Sequence, residues 1–168
     1  MDGVVISGGE PTLQSDIGPF CERVKEMGYV VKLDTNGSRP GVVRHLIQND
    51  LADYIAMDIK TLPDLYGTFL ETRCGPRAIL SSIQMIMDSG KAYEFRTTCV
   101  KPMINDRIME DLARLIKGAR LYALQRFVPA HVLRPECFQG TDSLCTVQEI
   151  HRLRFIVEKW VQKCVVRA

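Results

Sequence analysis

Three short polar segments carry the residue types that could do chemistry. Ser7-Gly8-Gly9-Glu10-Pro11-Thr12 combines two glycines, a carboxylate and a proline. Glycines let a ligand meet the backbone closely, and Pro11 removes a donor and sets the turn. Glu10 puts a carboxylate beside main-chain polar groups, a suitable receptor for an ammonium group. Leu33-Asp34-Thr35-Asn36-Gly37 brings an aspartate, a hydroxyl and an amide together, and Met57-Asp58-Ile59-Lys60 adds a second aspartate and a lysine. A ligand bearing both an amine and a carboxylate needs an acidic acceptor for the one and a lysine or cation for the other. Glu10 and Lys60 supply those groups. The same glycines and proline would also suit an ordinary strand-to-helix turn, and Asp34, Asp58 and Lys60 would also suit a structural polar cluster.

The elements that position these segments follow from hydrophobic periodicity. Short apolar or β-branched runs at Gly3 to Ser7, Tyr29 to Leu33, Tyr54 to Met57, Tyr93 to Val100 and Leu121 to Phe127 predict five strands, each buried on both faces. Between them, apolar stripes predict helices: Ile17, Phe20, Val24 and Met27; Val42, Val43, Leu46 and Ile47; Ile79, Ile83, Ile86 and Met87; and Ile108, Leu112, Leu115 and Ile116. A last stripe runs through Ile150, Leu153, Val157, Trp160, Val161 and Cys164. Ser38 before Pro40 and Gly75 with Pro76 read as helix starts, and Gly28, Gly90 and Gly118 as stops. Thr146 and Glu149 make a capping box.

Five successive βα units predict an α/β fold with parallel strands, an open doubly wound sheet or a partial (β/α) barrel. In either architecture ligands gather past the carboxyl ends of the strands. Gly8 to Pro11, Asp34 to Gly37, Asp58 with Lys60, Lys101 and Gln125 all fall there, on one polar rim.

Bulk properties narrow the class. Across 168 residues, 22 basic and 20 acidic side chains leave a net charge of +2, with no basic run, which argues against nucleic acid as a partner. No apolar stretch approaches the roughly 20 residues of a membrane span and no leader is evident, so a soluble, cytoplasmic protein of a single domain over residues 1–168 is expected. Cys21, Cys74, Cys99, Cys137, Cys145 and Cys164 form neither CxxC nor CxxxCxxC and read as buried or incidental thiols. His45 and His151 lack a ligand partner nearby in sequence, His131 follows the fifth strand where a ligand-facing role is open, and Glu94 and Arg96 alternate as rim groups or a salt bridge.

In the order DGVVISGGEPTLQ, VKLDTNG, YIAMDIK, EFRTTCVKP and LQRFVP, residues Asp2 to Pro129 resemble the radical S-adenosylmethionine superfamily, specifically the glycyl-radical-enzyme activating enzymes and most of all the activators of anaerobic ribonucleoside-triphosphate reductase. The resemblance implies a six-unit barrel and an oxidoreductase. Gly8, Gly9, Glu10 and Pro11 would bind the amino group of S-adenosylmethionine. Asp34, Thr35, Asn36, Asp58 and Lys60 would lie near it, and Val100 to Pro102 would approach the adenosine. It further implies that Asp34, Thr35 and Asp58 help hold a monovalent cation. Partners implied are a glycyl-radical enzyme, anaerobic ribonucleotide reductase first, and an electron donor such as flavodoxin or ferredoxin.

The family's CxxxCxxC, whose thiolates hold a four-iron four-sulfur cluster, would lie upstream of Gly8, and these 168 residues contain no such motif. The expectation is therefore a barrel lacking its cluster-binding first βα unit and inactive alone, either a truncation or a cluster-less relative. The alternative function is a non-catalytic S-adenosylmethionine-binding or partner-docking module. A phosphate-binding α/β enzyme is disfavoured, since neither GxGxxG nor GxxxxGK occurs.

Overall fold

Six strands alternate with helices along the part of the chain described by the computed structural model, residues 2–69, 74–128 and 144–167. The strands are β1 (Gly3–Ile6), β2 (Val30–Thr35), β3 (Tyr54–Asp58), β4 (Ala92–Cys99), β5 (Tyr122–Arg126) and β6 (Cys164–Arg167). The helices are α1 (Ile17–Glu26), α2 (Pro40–Gln48), α3 (Tyr66–Phe69), α4 (Pro76–Asp88), α5 (Asp106–Leu115) and α6 (Val147–Glu158). Two compact units divide the chain, one formed by residues 1–59 and 63–95 and the other by residues 60–62 and 96–168.

In the first unit the strands follow chain order, β1-β2-β3 and then the first part of β4. β1 and β2 run parallel with Val5 opposite Lys32, and β2 and β3 run parallel with Lys32 opposite Tyr54 and Asp34 opposite Ala56. Each crossover is a helix whose apolar stripe is buried: Ile17, Cys21 and Val24 on α1, Val43 and Leu46 on α2, and Ile79, Ile83 and Ile86 on α4. Pro40 and Pro76 open α2 and α4, where a missing N–H costs nothing. Gly28, with φ of 83°, and Gly90, with φ of 72°, take the left-handed conformation that lets the chain leave α1 and α4. Asp53 fastens β2 to α1, accepting from the Val31 N–H at 2.7 Å and from Lys25 Nζ at 2.5 Å.

The expectation of strands buried on both faces holds for Ile55, Ala56 and Met57 of β3 and for Tyr122, Ala123 and Leu124 of β5, and is corrected for β1 and β2. Along β2, Val31, Leu33 and Thr35 are buried while Val30, Lys32 and Asp34 are half-buried, and β1 alternates exposed with half-buried residues. Val5 is 57% exposed. One face of this sheet carries the core. The other presents Val5 and the polar side chains of Lys32, Asp34, Tyr54 and Asp58, which a fully apolar surrounding could not solvate.

In the second unit the order is the last part of β4, then β5 and β6, with β5 and β6 parallel and Tyr122 opposite Cys164. Met109, Leu112, Ala113, Ile116, Leu124, Ile150, Leu153 and Val157 make its core. Inside it Thr97 Oγ1 and Tyr122 Oη lie 2.6 Å apart, each satisfying the other. The capping box at the head of α6 forms as expected, with the Glu149 N–H donating to Thr146 Oγ1 at 3.1 Å and the Thr146 N–H to Glu149 Oε2 at 2.7 Å.

The last helix is shorter than its apolar stripe. It ends at Glu158, and Cys164–Arg167 form β6, a sixth strand that periodicity missed. The Gly118 N–H donates to the Trp160 carbonyl at 2.8 Å and the Gln162 N–H to the Ala119 carbonyl at 2.9 Å. Those bonds hold residues 159–163 as a turn and turn Val165 and Val166 into strand positions.

Candidate functional site

The loop after β1 is built around Glu10. Gly8 has φ of 101°, a conformation that side chains strain to adopt, and a Cβ added to Gly8 or Gly9 would meet nothing within 4 Å. The backbone here therefore faces open space. Glu10 is extended and caps the 3-10 turn Pro11–Leu13, which Pro11 opens. Its carboxylate does more than cap. Oε1 accepts from Thr12 N–H at 3.2 Å, Thr12 Oγ1 at 2.5 Å and Thr35 Oγ1 at 2.7 Å, while Oε2 accepts from Asn36 N–H at 2.6 Å.

Those bonds bring the first two motifs together. Thr35 also accepts from Gly37 N–H at 3.1 Å, and Asn36 Oδ1 accepts from Ser38 N–H at 2.9 Å. Gly37, at φ of 73°, leaves no room for a side chain: a Cβ would lie 2.1 Å from Met57 Cε and 3.3 Å from Ser82 Cβ. Ser82 Oγ donates to the Gly37 carbonyl at 2.7 Å, so α4 holds this strand end as well.

Asp34 lies on the open face of β2. Lys32 Nζ is 3.3 Å from Asp34 Oδ1, and Ser7 Oγ is 3.4 Å from Oδ2. Asp34 is 16% exposed and Lys32 33%. The Lys32 ammonium also stands 5.8 Å from the centre of the Tyr54 ring, within cation–π reach. Asp58, half-buried, ends β3 in the same unit. Sequence reasoning missed Lys32. Its alternation with Leu33 and Asp34 was the available signal, read instead as part of an apolar run.

A cavity of about 250 Å³ opens beside the loop, lined by Ile6, Ser7, Gly8, Gly9, Glu10 and Phe20 among others. Its open glycine backbone and carboxylate edge fit a small cationic group. The residues suggested for a monovalent cation fit less well. Thr35 is 3% exposed and its hydroxyl donates to Glu10 and accepts from the Gly37 N–H, leaving one lone pair, and Asp34 already faces an ammonium.

Lys60 and Val100 belong to the second unit. Lys60 is half-buried beside Thr61, whose hydroxyl donates to the Met103 carbonyl at 2.8 Å. Val100 is 5% exposed and forms an antiparallel bridge with Leu144, so any approach to a ligand would use its backbone. Lys101 pairs with Glu149 at 2.9 Å. His131, Cys137 and Pro129 lie outside the described residues.

The two described histidines are exposed. His45 Nδ1 is 3.0 Å from Asn49 Nδ2 on α2, and His151 is exposed on α6. The five described cysteines are free thiols. Burial pushes Cys99 up to about 12, with Cys145 and Cys164 adding to it, and burial with Glu158 pushes Cys164 to about 11, so both stay protonated and inert near neutral pH. Among the described residues no group of three His, Cys, Asp or Glu side chains could hold a metal ion, and an iron-sulfur cluster does not fit them.

Comparison with known proteins shows what the chain is similar to. The family model for the Radical SAM superfamily matches residues 1–116. A Methanocaldococcus jannaschii protein provisionally named a glycyl-radical enzyme activating enzyme is 37% identical over 171 residues, covering 99% of this chain and 70% of its own length. A second protein of that organism with the same provisional name is 27% identical, covering 70% of this chain and 45% of its own length. A crystallised domain of a pyruvate-formate lyase-activating enzyme from Bacteroides vulgatus superposes over the whole of both chains with a TM-score of 0.77 at 15% identity. Streptococcus suis SuiB bound to S-adenosylmethionine superposes with a TM-score of 0.70 at 16% identity, over 99% of this chain and 39% of SuiB. The last two likenesses show the fold, an α/β architecture of parallel strands as the sequence predicted.

Proposed function

This chain belongs to the radical SAM superfamily, and from that premise we propose that it is the S-adenosylmethionine-binding portion of an activase that creates a glycyl radical on a partner enzyme. The expected partner is an anaerobic ribonucleotide reductase, the electron donor a flavodoxin or ferredoxin, and the setting the cytoplasm. Among the described residues no helix is long and apolar enough to cross a membrane.

One observation carries the reading: the Glu10 carboxylate ties the Gly-Gly-Glu-Pro loop to the Thr35-Asn36 strand end, with open space against Gly8 and Gly9. A carboxylate whose Oε1 is saturated and whose Oε2 takes one N–H is fixed in place yet still able to accept from an ammonium group. The residues of this chain would thus orient the amino-acid end of the ligand. Asp34, Asn36 and Asp58, which belong to the same unit as Glu10, would lie near the remainder.

The test is direct. The whole protein, reconstituted anaerobically with iron and sulfide and given S-adenosylmethionine and a reductant, is expected to release 5'-deoxyadenosine. With an anaerobic ribonucleotide reductase present it is expected to give a glycyl-radical signal by electron paramagnetic resonance. A cluster-loaded sample that leaves S-adenosylmethionine intact overturns the proposal.

A further inference from the structure

Lys32 occupies a place that invites a role. It projects from the middle of β2 on the open face, between Val5 of β1 and Tyr54 of β3 in register. Its ammonium is held from two sides, by Asp34 Oδ1 at 3.3 Å and by the Tyr54 ring at 5.8 Å. An ammonium has three donors, and the ion pair with Asp34 uses one. At 33% exposure the side chain is open to a ligand on this face. Asp34 in turn is engaged by Lys32 and by Ser7 Oγ at 3.4 Å.

A monovalent cation bound to Asp34 would sit beside a fixed ammonium on the same carboxylate, and like charges at such range repel strongly where water is partly excluded. The Thr35 hydroxyl offers little in compensation, since it already donates to Glu10 and accepts from Gly37 N–H, which leaves it one lone pair. We propose that Lys32 is a built-in cation: positioned by Asp34 and Tyr54, its ammonium receives the carboxylate at the amino-acid end of the ligand and takes the place of an added monovalent ion. This rests on S-adenosylmethionine being the ligand, as proposed above.

Two measurements separate the two claims. The first is calorimetric titration of the chain with S-adenosylmethionine in choline, sodium and potassium chloride at constant ionic strength. Wild-type affinity is expected to change less than about twofold between choline and potassium. Lys32→Met is expected to weaken binding about tenfold in choline, a loss typical of one charge-assisted bond, and to recover part of it in potassium. Lys32→Arg, which keeps the charge, is expected to stay cation-independent.

The second follows the Asp34 carboxylate by carbon-13 resonance, assigned from its loss in Asp34→Asn, and needs no ligand. In the wild type the signal is expected to ignore potassium, and in Lys32→Met to move with it. Wild-type binding that demands potassium, or a wild-type Asp34 signal that shifts with potassium, overturns the inference. No binding in any buffer with an unmoved Asp34 signal leaves the ion pair standing and sinks the ligand assignment along with the carboxylate role.

Discussion

Gly9 and Glu10 are neighbours that make opposite demands on the fold. Gly9 has no left-handed φ, and nothing stands within 4 Å of where its Cβ would be. Gly9→Ala is therefore expected to leave stability within about 0.5 kcal/mol of wild type, so any loss of ligand affinity would report close approach of the ligand to the backbone. Glu10→Ala removes the acceptor for Thr12, Thr35 and Asn36, and Thr35 is only 3% exposed. Groups left without a partner at a charged acceptor are expected to cost about 2–3 kcal/mol. Urea denaturation of the two variants beside S-adenosylmethionine titration separates the effects. Equal stability for both variants would show that the Glu10 network holds nothing together. The sequence placed Glu10, Asp34 and Thr35 at strand ends. It could not show that Glu10 would bond to Thr35 and Asn36, because a contact across 25 residues is written in the crossover geometry and not in any local pattern.

At the scale of elements, α6 shows what sequence can and cannot specify. Its start was legible, since a Thr followed three residues later by Glu is a self-contained device. Its end was not. Trp160, Val161 and Cys164 continue the helical spacing, and only the bonds from Gly118 and Gln162 to distant backbone decide for a turn and a strand. β2 failed differently: Val-Lys-Leu-Asp alternates as a one-sided strand does, but the parallel-sheet expectation of two buried faces outweighed it. The head of α6 also carries a pH signature. Lys101 hydrogen-bonded to Glu149, with the Thr146 N–H adding to it, holds the carboxyl down to about 2 from its ordinary 4.5. A carboxyl lowered in the folded state stabilises fully above the unfolded value and loses that contribution as pH falls toward the folded one. The thermal midpoint of wild type is thus expected to fall more steeply between pH 4.5 and 2 than that of Lys101→Met, with the two converging at the acid end. Parallel curves would show that the Lys101 contact is not maintained in solution.

The whole chain offers a reporter for cooperativity. It contains one tryptophan, Trp160, which belongs to the second unit, between α6 and β6. Leu33, fully buried on β2, belongs to the first. The chain passes between units at residues 59–60, 62–63 and 95–96, the last within β4 itself. A strand cannot lose half its length and keep the register of the rest without exposing backbone groups that its neighbours had satisfied. Unfolding of one unit should then unfold the other. Leu33→Ala removes a fully buried side chain and is expected to cost about 2–5 kcal/mol. If the units unfold as one, that loss appears in full in Trp160 fluorescence as well as in far-ultraviolet circular dichroism, with coincident denaturant midpoints. A Trp160 midpoint that stays at its wild-type value while the dichroism midpoint falls would show two independent folding units. In that case β4 would be a covalent link and not a shared structural element.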